Sequence, residues 1–146
     1  DIKRMMDNGI LVGLGTDAMT VNMLEELRSG VWIQKLSQKD PGAGFMECTK
    51  ALVKNNATIA NRYWDGLGEI KEGNKADIIL MEYHSPTPLN SENFLGHLVF
   101  GLCQGIVDTT IVNGKILMEK RKLLYLDESR IMAKARELSE RLWERF

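Results

Sequence analysis

The chain has 146 residues, of which 44% are hydrophobic and 27% charged, a composition typical of a folded globular protein rather than a disordered one. Its 19 basic and 20 acidic side chains leave a formal net charge of −1, so no overall field attracts nucleic acid or an anionic membrane. The length excludes a complete (β/α)8 barrel, which needs about 250 residues.

The sequence also limits where the protein acts. No apolar run approaches the roughly 18 residues of a transmembrane helix, and residues 1–5 lack the apolar core of a signal peptide. Cys48 and Cys103 form no CxxC pair, which disfavours both a disulfide scaffold and a cysteine-rich zinc site. We therefore expect a reducing, cytoplasmic location.

The first predicted element is a helix over residues 1–8, ended by Asn8–Gly9. No residue stands ready to cap its start, which indicates either a chain cut from a longer protein or processing of the N-terminus. The apolar run Ile10–Gly15 then predicts a buried strand of a parallel sheet, with Thr16–Asp17 as its polar tip. Further helices are predicted over residues 21–36, 45–54, 57–64, 92–101 and 127–146, and Asn55–Asn56 is predicted to end the helix over 45–54.

The second half of the chain is predicted to contain β-structure. Glycines punctuate residues 66–75 and suggest a turn with a short β element, followed by an apolar strand over 76–81. Two prolines make residues 85–90 a loop. Residues 109–118 read as a hairpin around Asn113–Gly114, a dipeptide typical of tight hairpin turns.

The last predicted element is an amphipathic helix from Asp127 to Phe146. Asp127 stands where a capping side chain is favoured, and Glu137 and Arg141 form a favourable pair four residues apart. One apolar stripe follows the helical period; it consists of Ile131, Ala135, Leu138 and Leu142.

Asp17 is the best candidate for chemistry. A carboxylate at the C-terminal tip of a buried parallel strand lies where α/β folds place their active sites, and Gly13 and Gly15 permit close packing and tight turning there. The alternative is that Asp17 caps the following helix. A phosphate-binding loop is disfavoured, because the segment fits neither the P-loop nor the dinucleotide-binding pattern.

The remaining reactive side chains form no recognisable site. His84 and His97 are 13 residues apart, too few and too distant for a zinc site, and are predicted to be a surface and a packed or interface residue. Cys48 and Cys103 are predicted to be small buried residues. The three tryptophans are predicted to lie in the core or at an interface; they are Trp32, Trp64 and Trp143.

Three motifs, in order, resemble the metal-dependent amidohydrolase superfamily. Gly9–Asp17 looks like its last barrel strand. Ala57–Thr58 followed by Leu67–Ile79 resembles its passage from the barrel into a small β-domain, and Val112–Lys115 its late hairpin. The closer likeness is to the chlorohydrolase and aminohydrolase branch, which includes guanine, cytosine and S-adenosylhomocysteine deaminases. Two further stretches resemble an aminohydrolase subgroup of unassigned substrate, Pro86–Asn90 and Gly96–Gly101.

This resemblance implies an α/β fold: a C-terminal fragment of a TIM-barrel amidohydrolase plus part of its small β-sandwich domain and a terminal helix. Residues 1–64 would hold the last barrel strand with its βα unit and extra helices. Residues 65–126 would be the C-terminal part of the small β-domain, and residues 127–146 the terminal amphipathic helix.

The resemblance also implies a function. Members bind a divalent metal, zinc or iron, through a His-x-His pair on the first strand, a His on the fifth and an Asp on the eighth, with an assisting His on the sixth. Asp17 matches that Asp, as metal ligand and as catalytic base then acid; the histidines have no counterpart here. The implied reaction is hydrolysis of a non-peptide C–N bond in a small heterocyclic substrate. The chain alone is expected to bind no metal and to be inactive.

Two other hypotheses remain open. The chain could be a stand-alone noncatalytic module for interaction or oligomerisation, and the apolar segment 95–107 makes a homodimer plausible. It could also be a small hydrolase in which Asp17 shares a metal across an oligomer. We expect neither nucleic acid nor membrane as a partner, and the substrate-binding residues are unknown.

Overall fold

The computed structural model describes residues 1–146 and combines a helical half with an antiparallel sheet. The helices are short except for two of 16 residues each. In chain order the elements are α1 (Ile2–Asp7), α2 (Met23–Gln38), α3 (Phe45–Lys50), a π-helical turn (Ala51–Asn55), α4 (Asn56–Ala60), β1 (Ile78–Glu82), α5 (Phe94–Gly96), a second π-helical turn (His97–Gly101), a 3-10 turn (Leu102–Gln104), β2 (Ile106–Val112), β3 (Lys115–Glu119), β4 (Lys122–Leu123) and α6 (Glu128–Trp143).

The core lies between the helices. Leu27 and Val31, four residues apart on α2, are fully buried, as the helical period predicts. They join one buried cluster with Cys48 of α3 and Val99 of the second π turn. Both cysteines, Cys48 and Cys103, are buried and free, as predicted.

The predicted strand at residues 10–15 does not form: this segment lies outside every helix and strand. A strand exists only when a second backbone supplies its hydrogen bonds. Here side chains of the helical region supply them instead, from Asn55 and Asn56. The expectation of a sheet strand ending at Asp17 is therefore wrong for the chain as it stands.

Asn55 and Asn56 do not end a helix, contrary to prediction. α3, the π turn and α4 follow one another without a break from Phe45 to Ala60, and both asparagines have right-handed helical dihedrals. Asparagine is a weak helix former because its side chain competes for backbone partners. These two side chains find such partners in the 10–15 segment, outside their own helix.

The sheet is a four-stranded antiparallel meander in the order β1-β2-β3-β4. Its β2–β3 hairpin turns at Asn113–Gly114, with Val112 opposite Lys115, as predicted. Both turn residues have positive φ, +49° and +77°, the geometry that favours Asn-Gly in two-residue hairpins.

The short β element predicted within residues 66–75 is absent. Gly66, Gly68 and Gly73 all have positive φ, between +79° and +86°, and the segment consists of turns. The Asn61 amide binds both the N–H and the C=O of Leu67 and so holds the start of this segment. Repeated left-handed glycines prevent the regular alternation that a strand requires.

The terminal helix α6 forms as predicted. Asp127 caps it by accepting from the Arg130 N–H at 3.0 Å, and Arg141 contacts Glu137 at 2.7 Å. No residue of α6 is buried, so its apolar stripe is about half exposed. All three tryptophans are more than half exposed, so the predicted core position is wrong for them. They are Trp32, Trp64 and Trp143.

The first helix has a capping side chain at its start. Asp1 caps α1 by accepting from the Arg4 N–H at 3.0 Å, so the expectation of an uncapped first helix is wrong. None of the helices combines the length and apolar character needed to cross a membrane.

Candidate functional site

Asp17 lies on a tight turn with an unusual backbone. Asp17 and Ala18 both have positive φ, +49° and +56°, and the Met19 N–H donates to the Thr16 carbonyl at 3.0 Å to close the turn. Non-glycine residues rarely adopt this region, and two in succession cost free energy that the surroundings must repay. Such backbone concentrates at functional sites, so the turn itself marks Asp17 as a candidate.

The capping alternative for Asp17 is wrong. α2 begins at Met23, and its cap is Asn22, whose Oδ1 accepts from the N–H groups of Leu24 and Glu25 at 3.1 and 3.2 Å. The side chain of Asp17 is exposed, and the ion pairs of the chain use other carboxylates. Its carboxylate is therefore free to bind a ligand.

The segment before Asp17 is held by two asparagine side chains. Asn56 bonds Leu14 at two points: its Oδ1 accepts from the Leu14 N–H at 3.0 Å, and its Nδ2 donates to the Leu14 C=O at 2.9 Å. Asn55 Nδ2 donates to the Val12 C=O at 2.7 Å. Sequence reasoning missed both residues. The available signal was an Asn pair within a helical stretch with no glycine or proline after it.

Gly13 lies between these contacts, as expected of a close-packed glycine. A Cβ at this position would overlap Asn56 Oδ1 and approach Ile59 Cδ1 at 3.0 Å. Gly15, by contrast, has open space around it. Only the first of the two glycines thus allows a close approach.

The two histidine side chains make their contacts with residues other than Asp17. His97, half-buried, lies 2.6 Å from the Tyr83 hydroxyl through Nδ1 and 3.1 Å from the Thr87 hydroxyl through Nε2. His84 is exposed, 3.7 Å from Glu82. The packed and surface positions predicted for the two residues are confirmed.

The cysteines offer no nucleophile. Burial of Cys48, aided by the neighbouring Glu47 carboxylate, raises the pKa of its thiol to about 11. The group is therefore protonated at neutral pH, and a thiol rather than a thiolate is a poor nucleophile and metal ligand. Cys103 is buried beside α2, and its Sγ accepts a hydrogen bond from Arg28 Nη1 at 3.3 Å.

The donor set for a metal is incomplete within this chain. No group of three or more His, Cys, Asp or Glu side chains comes together that could hold an ion. A catalytic zinc needs about three protein ligands. The chain by itself does not bring together such a set of ligands.

The family is established by sequence comparison. Residues 1–117 match the sequence model of the Amidohydrolase family, which is most of the chain. The chain belongs to this family. Its named relatives are deaminases, which agrees with the aminohydrolase branch predicted from the sequence motifs.

Two relatives illustrate the similarity. The chain is 39% identical, over 99% of its length, to a 5-methylthioadenosine/S-adenosylhomocysteine deaminase of Pelotomaculum thermopropionicum, of which it covers 34%. It is 40% identical, over 92% of its length, to the enzyme of the same name from Dictyoglomus thermophilum, of which it covers 32%. The chain thus spans about a third of the length of these relatives.

Solved structures share the fold. An adenosine deaminase from Xanthomonas campestris with bound zinc matches 96% of the chain at a TM-score of 0.76 and 21% identity, over 33% of that protein. An atrazine chlorohydrolase from Arthrobacter aurescens, complexed with zinc, matches 94% at 0.71 and 22%, over 31% of its length. At such identities the likeness concerns the mixed helix-and-sheet fold alone.

Proposed function

We propose that this chain is the C-terminal part of a metal-dependent hydrolase that acts on non-peptide C–N bonds and deaminates a small heterocyclic substrate. The observation that carries the proposal is Asp17, exposed and uncommitted on a left-handed turn, within the stretch that matches the Amidohydrolase family. The deaminase names of the relatives support an amino group on a nitrogen heterocycle as the leaving group.

We place the parts of the chain accordingly. Residues 1–64 would carry the last barrel strand and the helices after it, residues 65–126 the C-terminal part of the small β-domain, and residues 127–146 the terminal helix. The antiparallel sheet at residues 78–123 supports the second assignment. In this arrangement residues 10–15 would pair with a barrel strand through the backbone groups that Asn55 and Asn56 leave free.

Asp17 would have two roles in the reaction. When bound, a divalent metal such as zinc or iron lowers the pKa of a water molecule towards neutrality. The Asp17 carboxylate would be one of the groups that hold the metal, and it would accept a proton from the attacking water. It would then return that proton to the leaving nitrogen. The water oxygen bonds the ring carbon, the C–N bond breaks, and ammonia departs.

The chain on its own would be inactive under this proposal. One carboxylate does not hold a catalytic metal, because useful affinity requires several preorganised ligands. The purified 146-residue chain should contain no stoichiometric zinc or iron by elemental mass spectrometry. Stoichiometric metal in it would instead favour a small hydrolase that shares the ion across an oligomer.

The decisive experiment replaces Asp17 in the full-length protein that carries this chain. Asp17→Asn keeps the size and removes the charge, so kcat/KM for ammonia release from S-adenosylhomocysteine and related adenine nucleosides should fall about 10³-fold. Asp65→Asn is the matched control, because Asp65 is also exposed and its loss should leave activity unchanged. Full activity in Asp17→Asn would refute the proposal.

A noncatalytic interaction module is the second candidate. The half-exposed apolar stripe of α6 favours it, with Leu138 50% and Leu142 49% exposed. If this is the function, the purified chain should form a stable dimer by analytical ultracentrifugation, and Leu138→Glu should dissociate it. A deaminase activity that depends on Asp17 would argue against this candidate.

A further inference from the structure

We infer that Asn56, assisted by Asn55, is a positioning residue that sets where Asp17 stands. This inference rests on the proposed function of Asp17 and extends it to the residues behind the turn. It starts from the two-point bond between Asn56 and Leu14. An asparagine amide carries an acceptor and a donor side by side, so it can bond one residue's N–H and C=O as a neighbouring backbone would.

The contact is enclosed and close. Asn55 is only 6% exposed, so its bond to the Val12 C=O satisfies a buried polar group that would otherwise cost free energy. Gly13 lies against Asn56 with no room for a Cβ. The segment at residues 12–14 is therefore held by three hydrogen bonds and by steric contact.

The helix is adapted to present both side chains. Asn55 ends the π turn and Asn56 begins α4 within one uninterrupted helical stretch. In a regular α-helix, adjacent side chains point about 100° apart. A π turn contains an extra residue, is rare, and occurs frequently at functional sites. Here it stands at the point from which two adjacent asparagines reach the same segment.

Asp17 depends on this anchor for its position. Its own carboxylate takes part in none of the ion pairs, so its place is set by its backbone. Upstream, only Gly15 and Thr16 separate Leu14 from Asp17, a span of at most roughly 11 Å. Downstream, the next anchor is Asn22 at the start of α2. Loss of the Leu14 anchor would let the turn shift, and a displacement of about 1 Å can cost 10²-fold in rate.

The test compares two asparagines in the full-length enzyme. Asn56→Ala removes the bonds to Leu14. Asn61→Ala is the matched control, because the Asn61 amide bonds the N–H and C=O of Leu67 in the same two-point manner, in the following loop. We expect similar losses of melting temperature in both variants.

The two variants should differ in kcat and in zinc affinity, the two properties that depend on the position of Asp17. Asn56→Ala should lower kcat about 10²-fold with KM within about twofold. It should also weaken zinc binding by roughly 10-fold or more, as measured by chelator competition with zinc alone. Asn61→Ala should change neither beyond twofold. Equal kcat and zinc affinity in the two variants would overturn the inference.

A second perturbation approaches the same contact from the other side. Gly13→Ala forces a methyl group against Asn56 Oδ1 and should reproduce the loss of kcat and zinc affinity. In the Asn56→Ala background the overlap with Oδ1 is gone and only the approach to Ile59 Cδ1 at 3.0 Å remains, so Gly13→Ala should add much less than it costs alone. Additive losses would contradict a shared contact. If Asn56→Ala does not fold, the same measurements are made on Asn56→Asp, which retains the acceptor for the Leu14 N–H.

The outcomes separate this inference from the proposed function. Loss of activity in Asp17→Asn together with normal kcat and zinc affinity in Asn56→Ala would refute only the positioning role. Full activity in Asp17→Asn would refute the proposed function itself.

Discussion

The Tyr83 hydroxyl lies 2.6 Å from Nδ1 of His97, and the two rings meet edge to face at 74°. Tyr83 directly follows β1, and His97 begins the second π turn. The other ring nitrogen of His97 lies 3.1 Å from the Thr87 hydroxyl in the proline loop. This imidazole therefore ties together the sheet, a helical turn and a loop.

Removing the Tyr83 hydroxyl should destabilise the protein. Tyr83→Phe leaves Nδ1 of a half-buried imidazole without its partner, at a cost of about 1 kcal/mol. The melting temperature should fall by about 4 °C in differential scanning calorimetry. Tyr63→Phe is the control, since Tyr63 is 74% exposed. An equal change in both variants would show that the Tyr83–His97 bond contributes nothing to stability.

Leu27 should be among the most sensitive core positions. It is fully buried on α2, and truncation to alanine both loses apolar contact and leaves a cavity, a cost of about 3 kcal/mol. Leu36, 81% exposed on the same helix, serves as the comparison, and Leu36→Ala should stay within about 0.5 kcal/mol of the parent. Urea denaturation measures both values. Similar losses would contradict the placement of the core.

Two glycines with different backbone conformations should respond in opposite ways to replacement by alanine. Gly114 has φ +77°, where an alanine Cβ is strained, so Gly114→Ala should cost about 1 kcal/mol. Gly96 has helical φ −64° and open space at its Cβ position, so Gly96→Ala should stabilise by about 0.5 kcal/mol. Thermal unfolding of the two variants should therefore shift in opposite directions.

Cys48 should make stability depend on pH in the alkaline range. Burial and the Glu47 carboxylate raise its thiol pKa from 9.0 to about 11, so the folded state holds this proton more tightly than the unfolded chain. The contribution is complete below pH 9 and is lost as the pH rises towards about 11. Cys48→Ala should flatten the fall of melting temperature between these pH values. An unchanged slope would contradict the assigned cause.

The parts of the fold that sequence patterns predicted well are those with local causes. The turn at Asn113–Gly114 needs positive φ at two adjacent residues, and the dipeptide itself favours that. The terminal helix carries its own cap at Asp127 and its own pair at Glu137 and Arg141. Each of these features depends on residues no more than four positions apart.

The predictions that failed depended on distant partners. An apolar run such as Ile10–Gly15 becomes a strand only if another backbone lies beside it, and here Asn55 and Asn56, more than 40 residues later, take that place. The same side chains were predicted to end a helix, because their actual partners are invisible in the local sequence. For Asp17, the sequence pointed to the residue but left capping and chemistry as alternatives.

The amino-acid sequence by itself determined the family resemblance, the hairpin, the terminal helix and Asp17 as the candidate carboxylate. These follow from short patterns whose physical causes are local. Only the tertiary structure decided that Asn22 caps α2, that Asp17 is left uncommitted on a left-handed turn, and that Asn56 holds the segment behind it. Those facts rest on hydrogen bonds and close contacts between distant parts of the chain, whose geometry no local pattern specifies.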